Sequence, residues 1–170
     1  MNRRRLLAAT ALALAVAWGS AASAETKWNL PAAYPADNPH SVNLAAFAKD
    51  VADATNGELA ITVHPNASLF KAPEIKRAVM TGQAQMGEVL LSIHENEDPI
   101  FGADVVPFLA TSFEQARKLW EATRPAVEKK LASQGLMVLF AVPWAPQGIY
   151  VDKPLQPDDD MNGLKWRAYN

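Results

Sequence analysis

Two basic residues near the end of the sequence are spaced so that they could bind an anion together. Lys165 and Arg167 flank Trp166, and in a β-strand they would share the face opposite to Trp166. An arginine at the end of a strand can hold a carboxylate through two parallel hydrogen bonds. Spacing alone favours a surface salt bridge, so a carboxylate site is at this point the alternative interpretation.

A second set of candidate residues follows the apolar run at 136–142 (LMVLFAV), which has the composition of a strand buried on both faces. Trp144 stands between Pro143 and Pro146 just after this run, and Tyr150 follows six residues later. Loops beyond the carboxyl ends of strands bind the ligands of open α/β sheets, so these rings could form the wall of a pocket. The sequence is equally compatible with Trp144 packing a joint between two domains.

The polar segment HENED at residues 94–98 carries groups that could bind a metal or transfer a proton. It lacks the second histidine of the zinc-binding pattern H-E-x-x-H. His94 with Glu95 or Asp98 would give a hydrolase its acid and base, whereas a solvated polar turn requires no chemistry. We favour the turn, because no nucleophile elbow, phosphate-binding loop or G-x-G-x-x-G accompanies the segment. The sequence therefore predicts neither an enzyme nor a bound cofactor.

The composition excludes several classes of protein. The 170 residues contain no cysteine, which excludes a disulfide framework, a thiolate nucleophile and cysteine-based zinc or iron–sulfur sites. Sixteen basic residues against 18 acidic ones give a net charge of -2, so no basic face for nucleic acid is predicted. A hydrophobic fraction of 49% is typical of a folded chain.

The first 24 residues have the features of a secretory signal peptide. Arg3, Arg4 and Arg5 precede an uncharged apolar stretch, and the residues at 22–24 (ASA) form a small-x-small cleavage site. Removing the leader takes three arginines from the 16 basic residues and leaves the 18 acidic ones, so the net charge becomes about -5. We expect a periplasmic protein without permanent membrane insertion; an uncut N-terminal anchor is the alternative, and twin-arginine export remains open.

The remaining sequence alternates between strand and helix patterns. Strands are predicted at 28–33, 59–64, 86–93, 136–142 and 164–168, and helices at 44–54, 73–82 and 112–135, the last with a kink or restart at Pro125. The predicted helix ends are Asp37-Asn38-Pro39 and Asn56-Gly57 for the first helix, and a capping box of Ser112 and Gln115 at the start of the last, in which each side chain bonds the other's backbone N–H. This order predicts an α/β fold with a mainly parallel sheet and right-handed crossovers.

Four segments resemble, in order, the solute-binding proteins of tripartite ATP-independent periplasmic (TRAP) transporters, of the dicarboxylate-binding DctP type. They are 57–65 (GELAITVHP), 80–87 (MTGQAQMG), 107–109 (PFL) and 161–167 (MNGLKWR). Each is weak alone, but their order behind a signal peptide is fairly specific. The resemblance covers essentially all of residues 25–170.

The resemblance implies a receptor with two lobes that closes on a small organic acid and delivers it to TRAP membrane permease subunits. It assigns the carboxylate-binding arginine to Arg167 and a polar contact to Asn170. A second arginine that some members have after the buried strand is absent here, and Gln147 falls near its place. A monocarboxylate is therefore favoured over a sialic-acid-like ligand.

The resemblance also implies a division of the chain. Residues 25–142 would be an incomplete first lobe and 143–170 the start of a second lobe, because family members are about twice as long. The expected fold is thus a periplasmic-binding-protein-like α/β fold truncated to roughly its first half. Two other functions stay open: a periplasmic hydrolase or metal-binding protein using residues 94–98, and a receptor for an ATP-driven importer.

Overall fold

The computed structural model describes residues 25–148, 150–152 and 163–165. The predicted signal peptide at 1–24 lies outside these residues. So do Arg167 and Asn170 and most of the strand predicted at 164–168. Of that strand, the two described residues have no strand conformation.

The first half of the described chain is a β-α-β unit. Strand β1 (Thr26–Pro31) leads through helix α1 (Pro39–Ala54) to strand β2 (Leu59–His64). The two strands pair in parallel, in unbroken register from Thr26 opposite Leu59 to Pro31 opposite His64. This arrangement confirms the predicted α/β class and the parallel pairing of the sheet.

Both ends of α1 are set by residues recognisable in the sequence. The side chain of Asn38 accepts a hydrogen bond from the N–H of His40 over 2.9 Å, and Pro39 occupies the first turn, where its missing N–H costs nothing. At the other end, Asn56 and Gly57 adopt positive φ angles of 51° and 81°. This left-handed turn ends the helix and directs the chain into β2.

A first apolar cluster fixes the sheet against α1. Its buried members are Leu30, Ala32, Leu44 and Met86, and Trp28, Phe47, Ile61 and Val63 pack around them. The carboxyl end of β1 is therefore the most buried part of the strand, while its first residues are exposed. This burial holds in one position the backbone from which the next loop departs.

The strand predicted at 86–93 is wrong. Residues 85–90 run beside β1 without a strand ladder, and Leu91–His94 form a 3₁₀ helix. The N–H of Glu88 donates to the carbonyl of Pro31 over 3.0 Å, but the N–H of Asn29 is bonded by the side chain of Gln85 over 2.9 Å. A side chain thus takes a backbone position of β1 that the ladder of a regular third strand would use.

Helix α2 (Ala72–Met80) packs closely on this irregular segment. Ile75 is fully buried, and a Cβ added at Gly87 would lie 2.5 Å from Ile75 Cγ2 and 3.1 Å from Val79 Cγ2. Only glycine permits so close an approach. The contact presses the segment between β1 and α2, and so fixes the position of the next residue, Glu88.

The long helix α3 (Phe113–Ala132) starts where the sequence predicts. Ser112 Oγ accepts from the N–H of Gln115 over 3.2 Å, while Gln115 Oε1 accepts from the N–H of Thr111, one residue before the expected partner. The helix continues through Pro125, so the alternative of a restart is wrong, while the kink stays a prediction. Pro125 removes one backbone hydrogen bond, and the carbonyl of Glu121 that loses it lies on an exposed turn where water can bond to it.

A second apolar cluster joins α3 to a 3₁₀ helix at Pro99–Val105. Phe101, Val127 and Leu131 are buried in it, and Leu91, Ile100, Trp120, Leu136 and Val138 pack around them. No helix of the described residues is both long and apolar enough to cross a membrane.

The strand predicted at 136–142, buried on both faces, is also wrong. Leu136 and Val138 pack into the second cluster, but Met137 is 80% exposed and Leu139 is 50% exposed. The segment is extended and has no strand partner in the described chain. An extended segment becomes a strand only when a neighbouring backbone supplies its hydrogen bonds.

We predict that Ser112→Ala lowers the free energy of unfolding by about 1 kcal/mol, because it removes the side-chain acceptor at the start of α3. Urea denaturation of the mature protein measures the change. Ser68→Ala is the matched control, since Ser68 is exposed and its hydroxyl bonds to no described residue. Equal stability of the two variants would contradict the capping role.

Candidate functional site

The described residues enclose a cavity of about 150 Å³ at the carboxyl end of β1. Its wall comes from the segment after β1, the first residue of α2 and the irregular segment beside the sheet: Ala33, Tyr34, Ala72, Glu88, Val89, Leu90 and Ile93. Ligands of open parallel sheets bind at this edge, beyond the carboxyl ends of the strands. The cavity is thus the candidate ligand site of the described chain.

Glu88 is the one carboxylate among the described residues that line this cavity. Its backbone is held by the bond from its N–H to Pro31, and its side chain accepts a hydrogen bond from the backbone N–H of Ala33. Burial raises the pKa of the Glu88 carboxyl to about 7, although the Ala33 N–H acts in the opposite direction. Near neutral pH the neutral form of this carboxyl is therefore accessible, whereas an ordinary glutamate would be ionised.

Three aromatic rings meet beside the cavity. The Trp144 ring lies 5.0 Å from the Tyr34 ring, edge to face, and 4.2 Å from the ring of His40. The Tyr34 and His40 centroids are 5.7 Å apart, and the hydroxyl of Ser41 donates to the Tyr34 carbonyl. Burial lowers the pKa of His40, which keeps its ring neutral in this stack. Because Tyr34 also lines the cavity, Trp144 lies one ring away from it.

None of the other residues predicted from the sequence is among the described residues that line the cavity. Gln147 is exposed, and its side-chain amide donates to the carbonyl of Ala145 over 3.0 Å. Tyr150 is 88% exposed. Arg167 and Asn170 lie outside the described residues. Of the three predicted residues that the structure describes, only Trp144 lies at the edge of the cavity, and the ligand-binding roles of all five stay predictions.

Sequence analysis missed Glu88 and Tyr34 as site residues. Glu88 was detectable in principle, since it is the only charged residue in the apolar stretch 86–93 and a charged group in such a stretch is rarely buried without a reason. Tyr34 gave no comparable signal. His40 lies in the first turn of α1 and is buried there.

The sequence of this chain was compared with models of known protein families. Residues 32–170 match the family described as bacterial extracellular solute-binding protein, family 7, also named DctP. The chain belongs to this family. Its members are solute-binding receptors, not enzymes, and they act outside the cytoplasm. The resemblance to the DctP-type receptors of TRAP transporters is thereby confirmed.

Solved structures of such receptors are similar to this chain in sequence and fold. An extracytoplasmic solute receptor of Bordetella pertussis, described as binding pyroglutamic acid, is 56% identical over 85% of this chain, with a TM-score of 0.82. A TRAP solute-binding protein from a marine metagenome, described as specific for pyroglutamate, is 49% identical over 77% of this chain, with a TM-score of 0.74. These matches confirm the expected periplasmic-binding-protein-like fold.

A solute-binding protein of Chromohalobacter salexigens is more distant, with 26% identity over 84% of this chain. The chain spans less than half of each of these relatives: 48% of the Bordetella receptor, 43% of the metagenome protein and 42% of the Chromohalobacter protein. The expectation that the sequence corresponds to part of a longer receptor agrees with this coverage. The boundary predicted between residues 142 and 143 stays a prediction.

In this family member the polar segment 94–98 forms a structural network. Lys76, which is 5% exposed, forms an ion pair with Glu97. Glu97 also lies 3.2 Å from Nδ1 of His94 and accepts a hydrogen bond from the Gln134 side chain over 2.9 Å. Lys130 on α3 donates to the Glu97 carbonyl over 3.2 Å, so the segment joins α2 to α3. The expected solvated turn is wrong for His94, which is buried, and the described residues contain no cluster able to hold a metal ion.

The network controls the charge of its members. The hydrogen bonds from Lys76 and Gln134 lower the pKa of the Glu97 carboxyl below 4.5, so it stays ionised. Burial, together with the nearby Lys76 charge, lowers the pKa of His94. Glu97 is therefore the anion that balances the buried ammonium of Lys76. This structural role explains why a carboxylate stands at this position, and it requires no catalytic function.

We predict that Glu97→Gln lowers the free energy of unfolding by about 2 kcal/mol at pH 7, because it removes a charge-assisted hydrogen bond to Lys76. The Glu97 side chain is 34% exposed, so water screens part of the loss. The pKa of Glu97 is lower in the folded protein than in the unfolded chain. The stability that the ionised Glu97 contributes is therefore fully present above pH 4.5 and is lost as the pH falls through the lowered pKa.

Denaturant unfolding at pH 7 and at pH 3 measures this difference. Glu95→Gln is the matched control, because Glu95 belongs to the same loop and forms no ion pair with a described residue. A Glu97→Gln variant as stable as the Glu95→Gln variant at pH 7 would contradict the structural role of the network.

Proposed function

We propose that this protein is a periplasmic receptor that captures a small organic acid and delivers it to the membrane permease subunits of a TRAP transporter. The observation that carries the proposal is the cavity at the carboxyl end of β1, in a chain that is 56% identical to a receptor described as binding pyroglutamic acid. Export by the predicted signal peptide at 1–24 would place the receptor in the periplasm.

The proposed ligand is a small monocarboxylate of the pyroglutamate kind. Two similar receptors, at 56% and 49% identity, are described as binding this acid. The walls of the cavity are mostly apolar, with the Tyr34 ring on one side. Such walls fit a compact ring with few polar groups better than a sugar acid, whose many hydroxyls would each need a hydrogen-bond partner.

The remaining roles follow the family resemblance. Arg167 would bind the ligand carboxylate through two parallel hydrogen bonds, and Asn170 and Gln147 would supply polar contacts. Trp144 would stack beside Tyr34 and help to close the pocket, with Tyr150 nearby on the same segment. Residues 25–142 would belong to the first lobe and 143–170 would begin the second.

We predict that pyroglutamate at a hundredfold excess over its dissociation constant stabilises the mature protein by about 2.7 kcal/mol, because it binds only the folded form. Arg167→Ala should then weaken binding more than tenfold, a loss of at least about 1.4 kcal/mol. Thermal melts with a panel of small carboxylates, followed by titration calorimetry, measure both effects.

Arg124→Ala is the matched control, because Arg124 is half exposed on α3 and pairs only with Glu128, one helical turn away. It should bind the acid as the unchanged protein does. Unchanged affinity in Arg167→Ala would overturn the role of that arginine. A mature protein that folds but binds none of the acids would overturn the proposed function.

A further inference from the structure

We propose that Glu88 contacts the ligand, and that its carboxyl in the neutral form pairs with the uncharged amide of a small acid, so that the receptor selects monoanions carrying a lactam. This inference rests on the proposed function and deepens it, because it assigns a specificity-determining group to the cavity. The carboxylate-binding residue would hold one end of the ligand and Glu88 the other.

The position of Glu88 in the cavity is fixed on two sides. Its backbone N–H bonds to the carbonyl of Pro31, and the residue before it, Gly87, is pressed against Ile75. Its side chain lines the cavity and accepts the N–H of Ala33. The carboxyl group is therefore held by the sheet itself, as a specificity-determining group must be.

The hydrogen-bonding capacity of a neutral carboxyl matches an amide in a ring. A protonated carboxyl has one O–H donor and several acceptor lone pairs, of which the Ala33 N–H uses one. The protonated carboxyl can still donate its O–H to a carbonyl oxygen and accept a hydrogen bond from an N–H, when both groups belong to one amide. A lactam presents this pair on one edge, because its ring holds the amide in the cis form. Two hydrogen bonds can thus form side by side.

Among the described residues, the charges around Glu88 favour its neutral form once an anion is bound, and Arg167 would be paired with the carboxylate at the other end of the ligand. Of the described residues that line the cavity, none is a lysine or arginine. Tyr34 is the other titratable group among the described wall residues, and His40 lies against the Tyr34 ring. Helix α2 contributes only Ala72 to the wall, and the 3₁₀ helix at Leu91–His94 contributes only Ile93. An ionised Glu88 would repel the ligand, and the repulsion is strong between apolar walls.

Ligand binding should depend on pH through the protonation of the Glu88 carboxyl. Burial raises the pKa of Glu88 to about 7. If only the neutral form binds, affinity for pyroglutamate falls more than tenfold between pH 6.5 and pH 8.5, and close to half a proton is taken up per ligand at pH 7. His40 does not contribute in this window, since its pKa is lowered from 6.5.

The test uses titration calorimetry of the mature protein with pyroglutamate at pH 6.5 and pH 8.5. Glu88→Gln keeps one donor and one acceptor but cannot ionise, so its affinity should be the same at both pH values. Glu88→Leu should bind more than tenfold more weakly than the unchanged protein at pH 6.5. Glu121→Gln, an exposed carboxylate on α3, is the control and should keep the pH dependence.

The unchanged protein provides a second measurement that needs no variant. Binding heats at pH 7 in two buffers of different ionisation enthalpy give the number of protons taken up. Proton uptake together with a flat profile in Glu88→Gln would support the inference. Binding without proton uptake, or a Glu88→Gln variant that keeps the pH dependence, would overturn it and leave the proposed function standing. Failure of the unchanged protein to bind any acid would overturn both.

Discussion

The parallel pairing of β1 with β2 is the constraint on which the candidate site depends. The ladder continues past the last paired residues, because the N–H of Ala32 donates to the carbonyl of His64 over 2.9 Å. Ala32 is fully buried, so the chain leaves the sheet at one defined point. The next two residues, Ala33 and Tyr34, form one side of the cavity, and the N–H of Ala33 bonds to the Glu88 carboxyl. A slip in the register would move all of these groups together.

The features that the sequence predicted correctly are those with local causes. Asn38 caps α1, Gly57 ends it and Ser112 caps α3 through contacts that span only a few residues. The predictions at 86–93 and 136–142 failed for the opposite reason. Apolar composition indicates burial, but a strand also needs a neighbouring backbone, which composition does not report. In the first case the Gln85 side chain takes a ladder position, and in the second no described strand pairs with the segment.

The residues of the candidate site also fall into those that could be predicted from local sequence and those that could not. Trp144 could be recognised because it follows an apolar run between two prolines, and the structure does place it beside the loop after β1. Glu88 was missed because it lay within a presumed strand. Its burial depends on Tyr34, Ala72 and Ile93, which are distant in sequence and reach it only through the fold. Sequence patterns identify residues with unusual neighbours in the chain, whereas a raised pKa is caused by neighbours in space.

Two ionisable groups, the buried Lys76 and the half-buried Glu88, have different electrostatic surroundings. Lys76 is given an anion, Glu97, and its ammonium lies 5.4 Å from the centre of the Phe101 ring, so its charge is balanced where it is buried. Glu88 receives only a backbone N–H, and no cation lines its cavity in the described chain. Groups whose pKa is shifted by desolvation cluster at binding and catalytic sites, because there the shift has a use. Without a counter-charge among the described residues of the cavity, a neutral Glu88 suits the uncharged amide of the ligand better than its carboxylate, which Arg167 would bind in the proposed arrangement.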